Sequence, residues 1–271
     1  MANIHHFAYG WVNPVLAYVL SFLGSLLGLV LTARSRDTNG NGRLRWLFLA
    51  ALAIGGTGIW LMHFMAMLGF DVPDSTLRFD IVLTVASFGV AVAIVALGLI
   101  VAALAKPSLF RIVAGGLLTG VGVAAMHYMG MAAVRLGGSI TYDPWLVTLS
   151  VCIAVVASVV ALWFAVVIRG AGATVGAAAL MGVAVCSMHY TGMAAVRVRL
   201  EHQAAPIEGV SPFVMLAPIS VISCIVISAL AYATIGFSMR QEGEREDELL
   251  TKARDLHGMA AMLQLGGARH R

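Results

Sequence analysis

Three short segments of the chain carry histidine and methionine at the same spacing: Met62-His63-Phe64-Met65-Ala66-Met67, Met126-His127-Tyr128-Met129-Gly130-Met131 and Met188-His189-Tyr190-Thr191-Gly192-Met193. On a helix, residues three and four apart share a face. His63 and Met67, His127 and Met131, and His189 and Met193 therefore form imidazole–thioether pairs, with Met62 and Met65 on a neighbouring face. Imidazole suits copper, zinc, iron and nickel, whereas thioether sulfur is a soft ligand that selects copper, above all Cu(I). The residues Met62, His63, Met65, Met67, Met126, His127, Met129, Met131, Met188, His189 and Met193 are thus the candidate metal ligands, and the motifs contain no carboxylate that would suit calcium or magnesium. Eight of the 14 methionines fall within these three windows, a density that argues against chance. Tyr128 and Tyr190 follow their histidines directly, where a phenol could tune a bound metal by hydrogen bonding, and Phe64 stands in their place in the first segment. Cys186 lies three residues before His189 without a counterpart in the other segments, and reads as packing.

The motifs recur after 64 and 62 residues, room for one helical hairpin each. The chain that carries them is 60% hydrophobic and 11% charged, with a mean hydropathy of +0.92. An ordinary globular chain has about 25% charged residues. A soluble protein is therefore excluded, and the lipid bilayer is the implied solvent. A spanning helix takes about 20 apolar residues, and seven stretches qualify, at roughly 9–33, 44–69, 80–105, 109–134, 145–168, 172–196 and 212–238. The expected fold is an all-α membrane protein of seven transmembrane helices, built from three two-helix repeats plus a closing helix. The membrane domain is expected over residues 1–239 and a short charged tail over 240–271.

The motifs fall on the second, fourth and sixth spans. Each histidine stands eight residues before the next charged residue, Asp71, Arg135 or Arg197, a helical rise of about 12 Å. The three imidazoles are expected at one depth near one face. The odd spans open on a weaker echo: Asn13-Pro14, Asp80 and Asp143-Pro144. Gly116 and Gly120, like Gly172 and Gly176, form small-xxx-small pairs, which let helix backbones approach closely. The even spans are accordingly expected to pack together at the centre.

Thirteen Lys and Arg residues lie on one side of these spans, six of them in the tail, against Arg78, Arg135, Arg197 and Arg199 on the other. The positive-inside rule puts the tail in the cytoplasm and the amino terminus outside. The net charge of +4 and pI near 9.2 are no nucleic-acid signal, because the 17 basic residues sit between apolar runs and not in one patch. Cys152, Cys186 and Cys224 lie in apolar runs and give no disulfide framework. His5, His6 and His202 are expected outside as solvated histidines that could feed metal toward the motifs, whereas His257 and His270 belong to the tail. The tail, charged from Gln241 to Asp247, reads either as a solvated continuation of the seventh helix or as a contact helix for a partner or a dimer mate.

Met126-His127-Tyr128 and Met188-His189-Tyr190-Thr191 resemble the signature of the MHYT family of bacterial integral-membrane sensor domains, and the resemblance extends over about residues 9–238. It implies a multi-pass domain of seven spans in the bacterial inner membrane, with its motifs near the outer face. It further implies copper as the cofactor, bound through Met, His and Tyr, and the sensing of a diatomic gas such as oxygen, carbon monoxide or nitric oxide. Domains of this family are often joined to cyclic-dinucleotide enzymes, kinases or DNA-binding domains; the short charged tail here points to a separate cytoplasmic output protein as partner. Phe64-Met65 and Met129 depart from the family's Tyr-Thr pattern.

The sequence therefore reads as a membrane sensor and not an enzyme, since it offers no intramembrane carboxylate pair, nucleophile–base arrangement or nucleotide-binding loop. Two other readings stand beside it. A haem-bearing electron carrier would use membrane histidines, with methionine as an alternative axial ligand, although three equivalent histidines fit an axial pair poorly. A copper transporter would capture metal at Met-rich outer sites, but needs ligands along a route inward, where the even spans offer little beyond glycine, threonine and alanine.

Overall fold

In hydrocarbon no water competes for backbone N–H and C=O groups, so a long apolar segment satisfies them within itself and folds as a helix. A computed structural model of the chain describes residues 4–73, 75–103, 108–201, 206–215, 217–218, 220–225, 227–228, 232 and 250–251. Among the described residues, six helices are long and apolar enough to cross a membrane: Val12–Arg36, Asn41–Met67, Ile81–Ala103, Leu109–Ala132, Pro144–Val167 and Ala171–Ala194. The chain is an all-α membrane protein, and these helices match the first six expected spans to within a few residues. Of the seventh, Pro212–Ile225 is a shorter apolar helix. Most of the rest of that span, most of the tail and His202, His257 and His270 lie outside the described residues. Residues 1–223 and 224–271 are separate compact units, and the motifs belong to the first.

The first span is α1 (Val12–Arg36). The second is composite, running through α2 (Asn41–Ala51), a π-helical segment (Leu52–Leu61) and α3 (Met62–Met67). The remaining four are α4 (Ile81–Ala103), α5 (Leu109–Ala132), α6 (Pro144–Val167) and α7 (Ala171–Ala194). Consecutive spans pack side by side, and α7 returns against α1, so the six close into a ring.

At the third and fifth spans the echo is helix capping, whereas Asn13 lies within α1 and donates from Nδ2 to the Met65 carbonyl at 3.3 Å. Asp143 Oδ1 accepts from the Trp145 N–H at 3.0 Å, with Pro144 in the first turn, and Asp80 Oδ1 accepts from the Leu83 N–H at 3.1 Å. A side-chain oxygen here satisfies one of the free N–H groups at the helix start, and proline loses nothing in the first turn. The other carboxylate oxygens accept from Arg135 at 2.9 Å and Arg197 at 2.8 Å.

These ion pairs flank short ribbons that an all-helical expectation had no place for. Strand β1 (Arg78–Phe79) pairs antiparallel with β2 (Val134–Arg135), and β3 (Gly138–Tyr142) with β4 (Val196–Leu200). Asp80 and Asp143 also donate their N–H groups to Ala133 and Ala195, each at 2.8 Å. In the first repeat the amino-terminal segment takes this part: Ala8 N–H donates to Gly69 at 3.0 Å, and His5 and Asp71 exchange backbone bonds at 2.9 and 2.8 Å. Each helix pair is thus joined by its loop at one end and laced together at the other.

Arg135 and the Leu83 N–H hold the Asp80 carboxyl below its usual 3.8, as Arg197 and the Trp145 N–H do for Asp143. A folded-state value below the unfolded one means that the stabilisation is complete at neutral pH and is lost as pH falls through the folded value. Amide protection of the ribbons is accordingly expected to hold down to the ordinary carboxylate range and to fall below pH 3.8. Asp143→Asn should remove that dependence from β3–β4 and leave it in β1–β2, as hydrogen exchange would read. At the opposite end, Arg36 donates to the backbone of Ile168 at 3.3 Å and of Ala165, and Arg43 to that of Ala103. Both satisfy free carbonyls where α6 and α4 end.

The expected role of the glycine pairs needs correction. Gly116 and Gly120 face α6, an odd span, where a Cβ would strike the backbones of Val159 and Val155. Gly172 and Gly176 have nothing within 4 Å of a Cβ. The close backbone approaches join even spans to odd ones: Gly24 of α1 meets Gly58 of the π segment, and Gly55 meets the Ala91 carbonyl of α4. The ring is built from even–odd contacts, and the even spans draw together only around the motifs.

Candidate metal centre

Because the motifs end three similar spans of one ring, their histidines arrive at the axis together. The Nδ1 atoms of His63 and His189 are 3.0 Å apart, and those of His63 and His127 3.2 Å. The ring centroids are separated by 5.0, 5.0 and 5.2 Å, each pair nearly perpendicular. All three residues are sealed from solvent, with 1%, 0% and 1% of their surface exposed for His63, His127 and His189. One ring nitrogen from each lies within 4.8 Å of the others, a group that could hold a metal ion.

The donor set fits such an ion. A single Nδ1 carries either one proton or one lone pair, so His63 cannot form full hydrogen bonds with both neighbours at once. A cation at the shared point would take all three lone pairs. Imidazole nitrogen binds zinc at about 2.0–2.1 Å, which puts nitrogens about 3.3–3.4 Å apart around a tetrahedral ion. The two Nδ1 separations lie within a few tenths of an ångström of that spacing.

The Nε2 atoms point outward into room made by the next motif. A Cβ at Gly130 would press on His63 Nε2 and lie 3.0 Å from its Cδ2, and one at Gly192 would meet His127 in the same way, 3.0 Å from its Cδ2. The corresponding residue of the first motif is Ala66. His63 Nε2 and His127 Nε2 are buried without hydrogen-bond partners among the described residues. The signal for these two glycines is the small residue three places after each histidine, although nothing in one motif tells that it accommodates the histidine of another. Gly130→Ala is expected to weaken metal binding tenfold to a hundredfold, the usual effect of disturbing the groups that orient a ligand. Competition against a chelator of known affinity would measure it.

The methionines divide. Met62, Met67, Met126, Met131, Met188 and Met193 are buried, whereas Met65 and Met129 are half-buried. Met62 packs with Ala17 and Ala66, and Met65, Val185, Cys186 and Tyr190 lie against that cluster, which makes Cys186 part of the packing. The tyrosines diverge as well. Tyr128 shares a 2.6 Å hydrogen bond with the Ser150 hydroxyl of α6. Tyr190 lies against Phe7 with ring centroids 5.6 Å apart and the planes tilted by 34°, and its buried hydroxyl has no partner among the described residues. Each motif aromatic presents an edge-on ring to its own histidine, at 4.9 Å for Phe64 and Tyr128 and 5.0 Å for Tyr190.

Of the outlying histidines, His5 is exposed, but His6 is half-buried against Phe70, with its ring 5.8 Å away and its Nδ1 enclosed and unpartnered among the described residues. Burial lowers its pKa from the usual 6.5. It is not the freely solvated side chain expected.

A ring of long apolar helices with a threefold internal repeat and one imidazole from each repeat on its axis defines a multi-pass membrane protein whose repeats share a centre. The sequence profile of the MHYT family, described as a bacterial signalling protein N-terminal repeat, matches residues 56–115, 120–178 and 182–249. The chain belongs to the MHYT family. Each matched repeat opens just before a motif and takes in the odd span that follows, whereas the ribbons join each odd span to the even span after it. The period is the same and the phase differs.

The bifunctional diguanylate cyclase/cyclic di-GMP phosphodiesterase MucR of Pseudomonas aeruginosa is 40% identical over 195 residues, 70% of this chain and 28% of that protein. The cyclic di-GMP phosphodiesterase NbdA of the same organism is 35% identical over 187 residues, 67% of this chain and 24% of that protein. The signaling protein YkoW of Bacillus subtilis is 26% identical over 197 residues, 70% of this chain and 24% of that protein. The chain thus spans about a quarter of the length of the curated relatives it matches. No solved structure matches it.

Proposed function

We propose that the chain is a membrane sensor module in which His63, His127 and His189 hold copper near the outer face of the membrane, and in which a diatomic gas is the signal. The observation that carries this reading is the convergence of three buried Nδ1 atoms, one from each repeat, with separations of 3.0 and 3.2 Å along two edges. Polar groups are costly inside a membrane and mark function where they occur. The methionines on either side of each histidine favour a soft ion, and Met62, Met65, Met67, Met126, Met129, Met131, Met188 and Met193 complete the proposed ligand environment. Tyr128 and Tyr190 stand behind the histidines as supporting groups. When bound, Cu(I) supplies an electron-rich centre to which oxygen, carbon monoxide or nitric oxide can attach.

The charge bias of the loops supports an external amino terminus and a cytoplasmic tail, with residues 1–239 as the sensor and 240–271 as the contact with an output protein. The activities for which MucR and NbdA are named support a partner that turns over cyclic di-GMP. A gas can act only by binding two conformations of the ring unequally. Haem is disfavoured because imidazole nitrogens within hydrogen-bonding distance leave no gap for a porphyrin plane. Elemental analysis and absorption spectra of the purified protein, with and without carbon monoxide, test the reading. The expected result is about one copper per chain, lost in the triple alanine variant of His63, His127 and His189. Copper retained by that variant, or a haem Soret band in the wild type, would overturn it.

A further inference from the structure

Directly beneath the triad lies a cavity of about 50 Å³ on the axis of the ring, bordered by all six spans. Its roof includes Ile59, Val123 and Val185, each four residues before a motif histidine and so about one helical turn below it. A second hollow is a groove on the outside of the ring between α6 and α7, beside the exposed side chains of Val156, Val160 and Leu180. Ala157, Met181 and Ala184 border both. Two of these three residues are the smallest that carry a side chain, and the third is flexible and unbranched.

We propose that the groove, this neck and the axial cavity form a lateral entrance through which a small uncharged gas passes from the bilayer interior to the underside of the triad. Size and polarity define the occupant. One water-sized site takes about 10–15 Å³ by this kind of measure, so the cavity admits a molecule of a few atoms and excludes a lipid chain or a haem. An apolar cavity does not hold water well, and the lining is apolar apart from the hydroxyls of Ser25, Thr119 and Ser158. The Thr119 hydroxyl is already committed to the Gly115 carbonyl at 2.8 Å. An apolar diatomic molecule enriched in the membrane meets both requirements and reaches the groove without crossing water. The inference rests on the sensor reading for the gas's destination, but the cavity and its neck stand independently of the metal.

Xenon, an apolar atom of similar size, probes the cavity in metal-free full-length protein in lipid nanodiscs. Saturable xenon binding by NMR is expected in the wild type, its loss in Ala184→Phe, and its retention in Val183→Phe, whose side chain is 50% exposed and borders neither hollow. In copper-loaded protein, carbon monoxide rebinding after flash photolysis should slow at least tenfold in Ala184→Phe with copper content unchanged. Should Ala184→Phe fail to fold, Ala157→Leu, on the facing wall of the neck, carries the same expectation. Absence of xenon binding in the wild type, or wild-type rebinding in a folded neck variant, overturns the entrance. Xenon binding in a protein that takes up no copper supports the cavity and removes the sensor reading.

Discussion

His63→Ala is expected to lower copper affinity at least a hundredfold, the largest loss among the three single histidine replacements. His63 is the hub of the triad, because its Nδ1 lies within hydrogen-bonding distance of both His127 and His189. Removing it leaves two donors whose mutual separation is not shortened by any direct hydrogen bond among the described residues. A hundredfold loss corresponds to about 2.8 kcal/mol at 1.4 kcal/mol per factor of ten. Titration with Cu(I) in the presence of a competing chelator measures the loss, and circular dichroism checks that the ring persists. Retention of wild-type affinity by a folded His63→Ala protein would show that the triad is not the metal site.

Gly120→Val should produce the largest loss of stability. A Cβ there would run into Val155 Cα and N and the Ala154 carbonyl of α6, and backbone cannot swing aside as a side-chain tip can. Overpacking in a well-filled core costs about 1–3 kcal/mol, and sometimes more. The backbone clash puts this case at or above the upper end of that range. Gly176→Ala offers the contrast, since nothing lies within 4 Å of its Cβ position. Replacing a helical glycine by alanine without a clash stabilises by up to about 1 kcal/mol. Thermal unfolding in detergent should therefore separate the two variants clearly, and equal midpoints would contradict the close contact between α5 and α6.

The helices and the level of the triad were legible because both rest on local rules. Apolar runs long enough to span a bilayer leave the backbone only one way to bond itself. Equal distances from His63, His127 and His189 to the next charge set a common depth. What escaped was pairing between distant residues. Arg78–Phe79 and Val134–Arg135 are two-residue strands, too short to leave an alternating pattern, and their pairing follows from the helices they terminate. Gly116 and Gly120 announced a close approach without naming its partner, and that partner proved to be α6. Tyr128 and Tyr190 occupy the same motif position, yet one hydroxyl bonds Ser150 and the other has no partner among the described residues. Their difference comes from neighbouring spans, which no comparison of the motifs alone could reveal.

The π-helical segment Leu52–Leu61 also belongs to that unread part. From the start of its helix, the second span spends four more residues reaching His63 than the fourth and sixth spend reaching His127 and His189. A turn closed by bonds to the fifth residue and not the fourth takes up more chain for the same climb. The segment therefore shortens the climb of the longer second span toward its imidazole. The three repeats agree at their destination and not along their path, and an alignment of them is sound only when anchored on the histidines.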